Sequence, residues 1–208
     1  MTVELIRATT DAGQLCGEAA AVCTASNRPD KALDHAVRAG HTSVLEHAVY
    51  TFRVSGLSRA AMAQLTRQRL ASFDVQSQRY VRISGKDIVM PDTIKDAGLA
   101  EEAERLMESV MDLYQRMVDA GVPCEDARYI TPQGVPTKLV MTMNARELLH
   151  FFSLRTCNRA QWEIREMADM MLMMCKVVSP EIFSKAGPGC VTGKCPELKP
   201  CGHPRNGD

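Results

Sequence analysis

The sequence predicts an α+β fold: a mixed or antiparallel sheet with long helices packed on it, in a single domain that ends in a short cysteine-rich tail. Three observations carry that expectation. Short stretches with a two-residue apolar period alternate irregularly with stretches of helical period, unlike the regular succession of a doubly wound sheet. The longest amphipathic stretch, "GLAEEAERLMESVMDLYQRMVDAG", keeps one apolar stripe throughout. Composition then changes after "SPEIF" to the Gly-, Pro- and Lys-rich "KAGPGCVTGKCPELKPCGHPRNGD", which places a boundary near Ser184. Residues 1–184 are thus expected to form the folded domain and 185–208 a tail.

Each element has a local reason. "DKALDHAVRAG" spaces Ala32, Leu33, Ala36 and Val37 helically, with Gly40 as the stop. In "HAVYTFRVSG", Tyr50, Phe52 and Val54 alternate with Val49, Thr51 and Arg53, so a strand is expected. "SRAAMAQLTRQRL" reads as a helix capped by Ser58. "LASFDVQSQ" has neither period and is expected to be a loop. The long helix presents Leu99, Ala103, Leu106, Val110, Leu113 and Met117 as its stripe. Pro123 opens a short helix in "VPCEDARYITP" that closes before Pro132. "TKLVMTM" is a second strand. Asn144 caps the helix of "NARELLHFFSLRTC", with Glu147 three residues on. "AQWEIREMADMMLMMCKVV" is expected as a largely buried helix.

The 208 residues suffice for one sizeable core. With 25 basic and 25 acidic residues the net charge is zero, which argues against a broad binder of nucleic acid or membrane surface. The N-terminus does not read as a signal peptide, and the longest apolar run, "MLMMCKVV", is too short to span a bilayer. Five of the eight cysteines are scattered singly, so they are read as reduced thiols in a cytoplasmic protein.

Against this neutral background "TRQRLASFDVQSQRYV" stands out. It holds Arg67, Arg69 and Arg79, with Arg82 just beyond, among Gln68, Gln76, Ser77 and Gln78. If the chain leaves its helix near Arg69, both arginines can be aimed into one pocket with Ser77 and Arg79. Forked guanidinium suits phosphate, because two N–H groups meet two oxygens. A polar surface loop beside a helix C-terminus is the other reading. There is neither a P-loop nor a G-x-G-x-x-G run to hold a nucleotide by glycine.

A second group lies in "NARELLHFFSLRTCNRAQWEIRE", where Asn144, Arg146, His150, Arg155, Arg159 and Gln161 sit among bulky apolar residues. Asn144 and Arg155 are about three turns apart on nearly the same face. Arg155 beside Phe151, Phe152 and Leu154 requires an anion, either Glu163 or Glu166 or a ligand. Cys157, in the same stretch, reads as packing rather than as a nucleophile.

Taken together these residues resemble the flavin-dependent thymidylate synthase family. Its Arg-His-Arg signature, seven residues, Ser, and then Arg-Tyr is matched by Arg67-Gln68-Arg69, Ser77 and Arg79-Tyr80. "HTSVLEH" is similar to its His-x-Ser/Thr-x-x-Glu-His element, and Gln64 stands three before Arg67 as expected. "ARYITP" resembles its Ala-Arg-Tyr-x-x-Pro element, and "NARELLHFFSLRTCNRAQWEIRE" its Asn-x-Arg, Leu-Arg and Ala-Gln-Trp-Glu segment. The likeness covers about residues 35–170, four motifs in order.

The resemblance implies a homotetramer whose active sites are shared between subunits. It implies methylation of dUMP at C5 to dTMP, with methylenetetrahydrofolate giving the carbon and NADPH the electrons through FAD. For FAD it implies Ser43, Glu46, Arg67, Gln68, Arg69, Asn144, Arg146, His150 and Arg159. His150 stands where relatives often carry Asn, and Arg159 where some carry His. For dUMP it implies Gln64, Arg67, Ser77, Gln78, Arg79, Arg128 and Arg155, with Arg155 and Ser77 as the catalytic pair. Arg155 would stabilise negative charge on the uracil, and no enzyme nucleophile is needed. Gln68 departs from the family's His, and Gln does not titrate near neutral pH. A relative acting on UMP, or one with impaired turnover, is therefore the alternative reading.

In the tail, Cys190, Cys195, Cys201 and His203 are of the types that form a structural zinc site, although the tight C-x₂-C knuckle is absent. A flexible tail with unlinked thiols is the other reading.

Overall fold

A computed structural model describes residues 1–205. The chain begins with strand β1 (Thr2–Ala8), helix α1 (Ala12–Thr24) and helix α2 (Pro29–Arg38). A 3-10 turn over Thr42–His47 leads into β2 (Val49–Ser58) and α3 (Arg59–Leu65). Then follow β3 (Ala71–Val75), α4 (Asp92–Asp96), α5 (Ala100–Asp119), α6 (Cys124–Ala127) and β4 (Pro136–Asn144). The chain closes with α7 (Ala145–Arg155), α8 (Trp162–Val178), α9 (Pro180–Phe183) and α10 (Gly189–Thr192). The four strands form one antiparallel sheet in the order β1-β2-β4-β3, the α+β architecture expected. Among the described residues no helix is long and apolar enough to cross a membrane.

By its internal contacts the chain divides into two compact units. The first comprises Met1, Val54–Arg67 and Asp74–Leu139; the second Thr2–Arg53, Gln68–Phe73 and the chain from Val140 onward. The divisions fall inside β2, β3 and β4.

In the second unit Tyr50 and Phe52 of β2 are fully buried while Val49 and Arg53 are exposed, as the period-two pattern requires. Tyr50, Phe152 and Phe183 stack edge-on, with ring centroids 5.3 Å apart (Tyr50–Phe183) and 5.9 Å apart (Phe152–Phe183). The Tyr50 hydroxyl donates to Ser179 Oγ at 2.7 Å, and burial pushes its pKa up to about 12. Burial alone pushes the Cys175 thiol up to about 12 as well. Helices α1 and α2 meet on small residues, Ala20 and Ala21 against Ala32 and Ala36. A Cβ on Gly17 would lie 2.8 Å from the Pro29 carbonyl oxygen, so only glycine allows that approach.

The first unit has its own core of Met111, Tyr114, Ala127 and Val135, flanked by Ile83 and Ile88. Here the helical stripe read from sequence is displaced. Leu106 is 66% and Leu113 41% exposed, while Met111 and Tyr114, one position further round, are buried. Apolar residues recur in adjacent pairs along α5, so period alone cannot choose the face. The Tyr114 hydroxyl decides it locally, accepting the Ile83 N–H at 3.0 Å.

Two further expectations are corrected, and one stretch left without a reading gains an element. "ASFDV" is strand β3, not loop. Its alternating side chains are only half-buried, which is why the sequence pattern is faint. Helix α8 is buried on one face only, with Met173 68% and Val177 81% exposed. The amino-terminal stretch, for which no element was expected, supplies β1.

Candidate active site

In the first unit the end of β2 turns into α3 at Ser58, whose Oγ accepts the Ala61 N–H at 3.0 Å. That cap starts the helix carrying Gln64, and the turn after it carries Arg67. Gln64 Oε1 is buried and has no hydrogen-bond partner among the described residues. A buried acceptor left unmade is costly, so it is a place for a ligand N–H. Gln78 and Arg128 line a cavity of ≈ 410 Å³ together with Arg59, Tyr129 and Gln133. Arg128 is steered by its Nε, which donates to the Glu125 carbonyl at 3.1 Å. Arg59 is held below the usual guanidinium range by burial and by the neighbouring charge of Arg128. Two guanidiniums lining one cavity have the donor chemistry that suits an anion.

Arg59 was not expected from the sequence. It follows the Ser58 cap, and the only sequence signal was an arginine in the first turn of a helix, where the dipole disfavours cations. Ser77 Oγ accepts the Arg79 N–H at 3.1 Å and so folds the loop on itself. Arg79 lies over the Tyr80 ring at 5.3 Å and pairs with Glu125 at 2.9 Å, which partly neutralises it. The Arg67 side chain is exposed and has no partner among the described residues.

In the second unit Asn144 is spent as a cap: its Oδ1 accepts the Glu147 N–H at 2.9 Å. The Glu147 carboxylate, 7% exposed, accepts from the Gln68 amide. Glu147 was expected only as a capping partner; its hold on Gln68 is a contact between residues far apart in sequence. Arg146 pairs with Glu46 at 2.5 Å, and Ser43 and Arg146 line one cavity of ≈ 340 Å³ with Val44, His41 and the small residues of α1 and α2. Arg69 and His150 are exposed.

The end of α7 faces the tail. Arg155 and Arg159 line a cavity of ≈ 400 Å³ with Cys157, Cys195, Cys201 and His203. Arg159 donates to Glu197 at 3.1 Å and to the Lys199 carbonyl at 2.9 Å. Arg155 is half-buried and has no partner among the described residues; neither Glu163 nor Glu166 supplies one in any described contact. The four residues of the expected zinc set, Cys190, Cys195, Cys201 and His203, all line this cavity. Among the described residues no group of three or more His, Cys, Asp and Glu is arranged to hold a metal ion. Instead the Cys190 sulfur accepts the Arg205 N–H, and the Cys201 thiol turns onto the His203 carbonyl.

Residues 4–181 match the family described as thymidylate synthase complementing protein, and the chain belongs to that family. Its relatives carry a more particular name. A flavin-dependent thymidylate synthase of Geobacter sulfurreducens is 45% identical over 95% of this chain and 91% of its own length. One of Pyrococcus furiosus is 46% identical over 82% of this chain and 74% of its own. Among solved structures, a UMP/dUMP methylase of Streptomyces cacaoi bound with 5-Br dUMP superposes with a TM-score of 0.75 at 26% identity, covering 88% of this chain and 92% of that one. The Helicobacter pylori flavin-dependent thymidylate synthase, complexed with FAD and dUMP, shares the fold with a TM-score of 0.73 at 24% identity over 90% of this chain.

Proposed function

We propose that this chain is a flavin-dependent thymidylate synthase, which methylates dUMP at C5 to dTMP with methylenetetrahydrofolate as carbon donor and NADPH as reductant. The observation that carries the reading is the cavity shared by Arg59, Gln78 and Arg128, an uncompensated cation pair in a chain of this family.

The two guanidiniums bind the nucleotide phosphate, since forked donors meet its oxygens in pairs. Gln78 adds amide donors beside them, and the buried Gln64 Oε1 accepts an N–H of the base. Ser77 keeps the loop closed under Arg79. Arg155, without a carboxylate, stabilises negative charge on the uracil ring.

For FAD, the cavity of Ser43 and Arg146 offers an apolar floor with a cationic rim, which fits a ligand of planar body and anionic phosphates. Arg146 spends one N–H on Glu46 and keeps other donors of its fork for a phosphate. Gln68, oriented by Glu147, places a neutral amide where the family carries an imidazole. Arg67, Arg69, Asn144, His150 and Arg159 complete the set by family likeness. When bound, FAD supplies hydride chemistry.

The working form is a homotetramer in the cytoplasm, its active sites shared between subunits. Leu99, Leu106 and Leu113, seven apart at the start and along α5, are all exposed and call for cover. Its eight cysteines are free thiols among the described residues, as a reducing compartment requires. Because the Streptomyces cacaoi neighbour is a UMP/dUMP methylase, UMP is the alternative substrate.

The test is an end-point assay with FAD, NADPH, methylenetetrahydrofolate and either dUMP or UMP, reading the methylated nucleotide by mass spectrometry. dTMP is expected from dUMP, with UMP the poorer substrate. Product from UMP alone selects the alternative. If FAD binds and no product forms even in Gln68→His, the reading is overturned.

A further inference from the structure

The segment after α9 is fastened to the corner between α7 and α8. Arg205 donates to the Thr156 carbonyl at 2.6 Å and to Asp169 at 2.7 Å, and Asn158 Nδ2 donates to the His203 carbonyl at 2.6 Å. Pro188 to Pro204 thus form a strap along the ≈ 400 Å³ cavity, and Cys190, Cys195, Cys201 and His203 of the strap all line it. From Gly189 to Pro204 every residue is half-buried or exposed. Such a segment has no core of its own, and short segments without a core are held by cross-links or by a metal.

The backbone delivers the sulfurs to one place. A Cβ on Gly189 would lie 2.5 Å from Pro196 Cδ and 3.1 Å from the Lys194 carbonyl oxygen, so the chain doubles back tightly there, with Cys190 and Cys195 just inside the turn. Gly202, at φ 77°, makes a second turn, which sets the His203 N–H on Cys201 Sγ at 3.4 Å. The Arg205 N–H meets Cys190 Sγ at the same distance, 3.4 Å. A thiol is a weak acceptor for such a donor, whereas a thiolate is a charged and strong one. Two of the sulfurs are therefore provided for as anions, the state in which cysteine binds a metal, and ligating groups are commonly held by outer hydrogen bonds of this kind. Cys195 Sγ and the His203 imidazole have no hydrogen-bond partner among the described residues. The Arg155 guanidinium lines the same cavity, where its charge favours thiolate.

We propose that the strap is a metal-binding segment in which Cys190, Cys195, Cys201 and His203 close around one zinc ion as a tetrahedral structural site. Three thiolates and an imidazole are a zinc set, and four protein ligands leave no open position for catalysis. Among the described residues no three such groups stand in coordinating geometry. Binding therefore draws the strap inward, a coupling of metal capture to local folding. Each of the three thiols gives its proton to solvent. The donation from the Cys201 thiol to the His203 carbonyl is lost, and the N–H bonds to sulfur strengthen. The ion adds a clasp beside the Arg205 and Asn158 ties and fixes the strap against the end of α7.

The experiment takes the full-length protein, reduced and stripped with a chelator, and titrates it with zinc alone. Bound metal is read by plasma mass spectrometry and released protons by an indicator dye. About one zinc per chain is expected, with about three protons released near neutral pH. Cobalt in place of zinc is expected to give the intense absorption of a tetrahedral thiolate site. Cys190→Ser, Cys195→Ser, Cys201→Ser and His203→Ala should each weaken zinc at least about tenfold, since even changes outside the ligand set cost that much. Cys23→Ser, Cys124→Ser and Cys157→Ser should leave it unchanged. Protein that takes up no zinc, or takes it up equally in the four ligand variants, overturns the inference. So does loss of binding in Cys157→Ser with His203→Ala unaffected, or the absorption of an iron–sulfur cluster in the protein as isolated. If a ligand variant fails to fold, the cobalt spectrum of the unmodified protein decides, and absence of the thiolate bands overturns the site.

Discussion

Two sets of arginines, one at a cavity of the first unit and one in the second unit, are held in opposite ways. In the first unit Arg59 and Arg128 share a cavity, where burial and then the charge of Arg128 raise the cost of charging Arg59. In the second, Arg146, Arg159 and Arg205 are each matched by a carboxylate: Glu46, Glu197 and Asp169. The matched pairs hold backbone and side chains in place and present little net charge. The unmatched pair stores charge that only a ligand anion relieves. Arg155, half-buried in the second unit with no carboxylate partner among the described residues, is like the unmatched pair in this respect.

Perturbing the unmatched cations should therefore do most. Arg155→Ala is expected to lower kcat by about 10²–10³-fold, the scale for a donor aimed at developing charge, with steady-state kinetics as the measurement. An unchanged kcat would remove Arg155 from the chemistry. Next, Arg128→Ala and Arg59→Ala are expected to raise KM for dUMP by roughly 10- to 100-fold, as for charge-assisted hydrogen bonds. Binding of deoxyuridine, which lacks the phosphate, should be unaffected; equal losses for both ligands would show damage to the fold instead.

The Gln68–Glu147 contact sits between these classes, a neutral donor on a buried carboxylate. Gln68→Leu strips that donor and is expected to cost about 1–3 kcal/mol of stability, read by urea unfolding. Gln68→His places a titrating group beside the carboxylate, so FAD affinity should become pH-dependent between about pH 6 and 8, where the original is flat. A flat profile in the variant would show that Glu147 does not sense this position.

A matched surface pair should matter least. Glu46→Gln frees Arg146 and is expected to change FAD affinity less than about threefold, since exposed ion pairs contribute little. A large loss would move Glu46 into direct ligand contact. The core gives a separate pH signature. Tyr50 and Cys175 have folded-state pKa values raised to about 12 by burial. Their contribution is therefore complete below the unfolded values near 9–10, and is lost as pH rises through about 12, because the unfolded chain releases those protons first. Unfolding midpoints should stay level up to about pH 9 and then fall.

Much of this was legible in the chain because it depends on neighbours in sequence. The alternation of Tyr50, Phe52 and Val54 and the Ser58 and Asn144 caps follow from periods and short-range hydrogen bonds, while the spaced family residues were read from likeness to the family. What tertiary structure alone decided were contacts between distant segments. Adjacent apolar pairs made two faces of α5 equivalent until Ile83 met Tyr114. β3 was faint because its residues are half-buried, so selection of apolar side chains is weak there. The zinc pattern had the right ligand types, and the fold brings all four residues to one cavity, where Cys190 accepts the Arg205 N–H and the Cys201 thiol meets the His203 carbonyl. Residue chemistry determined which groups could bind an anion. Which of them remain unpaired, and so free to do it, depends on where each carboxylate ends up in space, and that is a property of the fold.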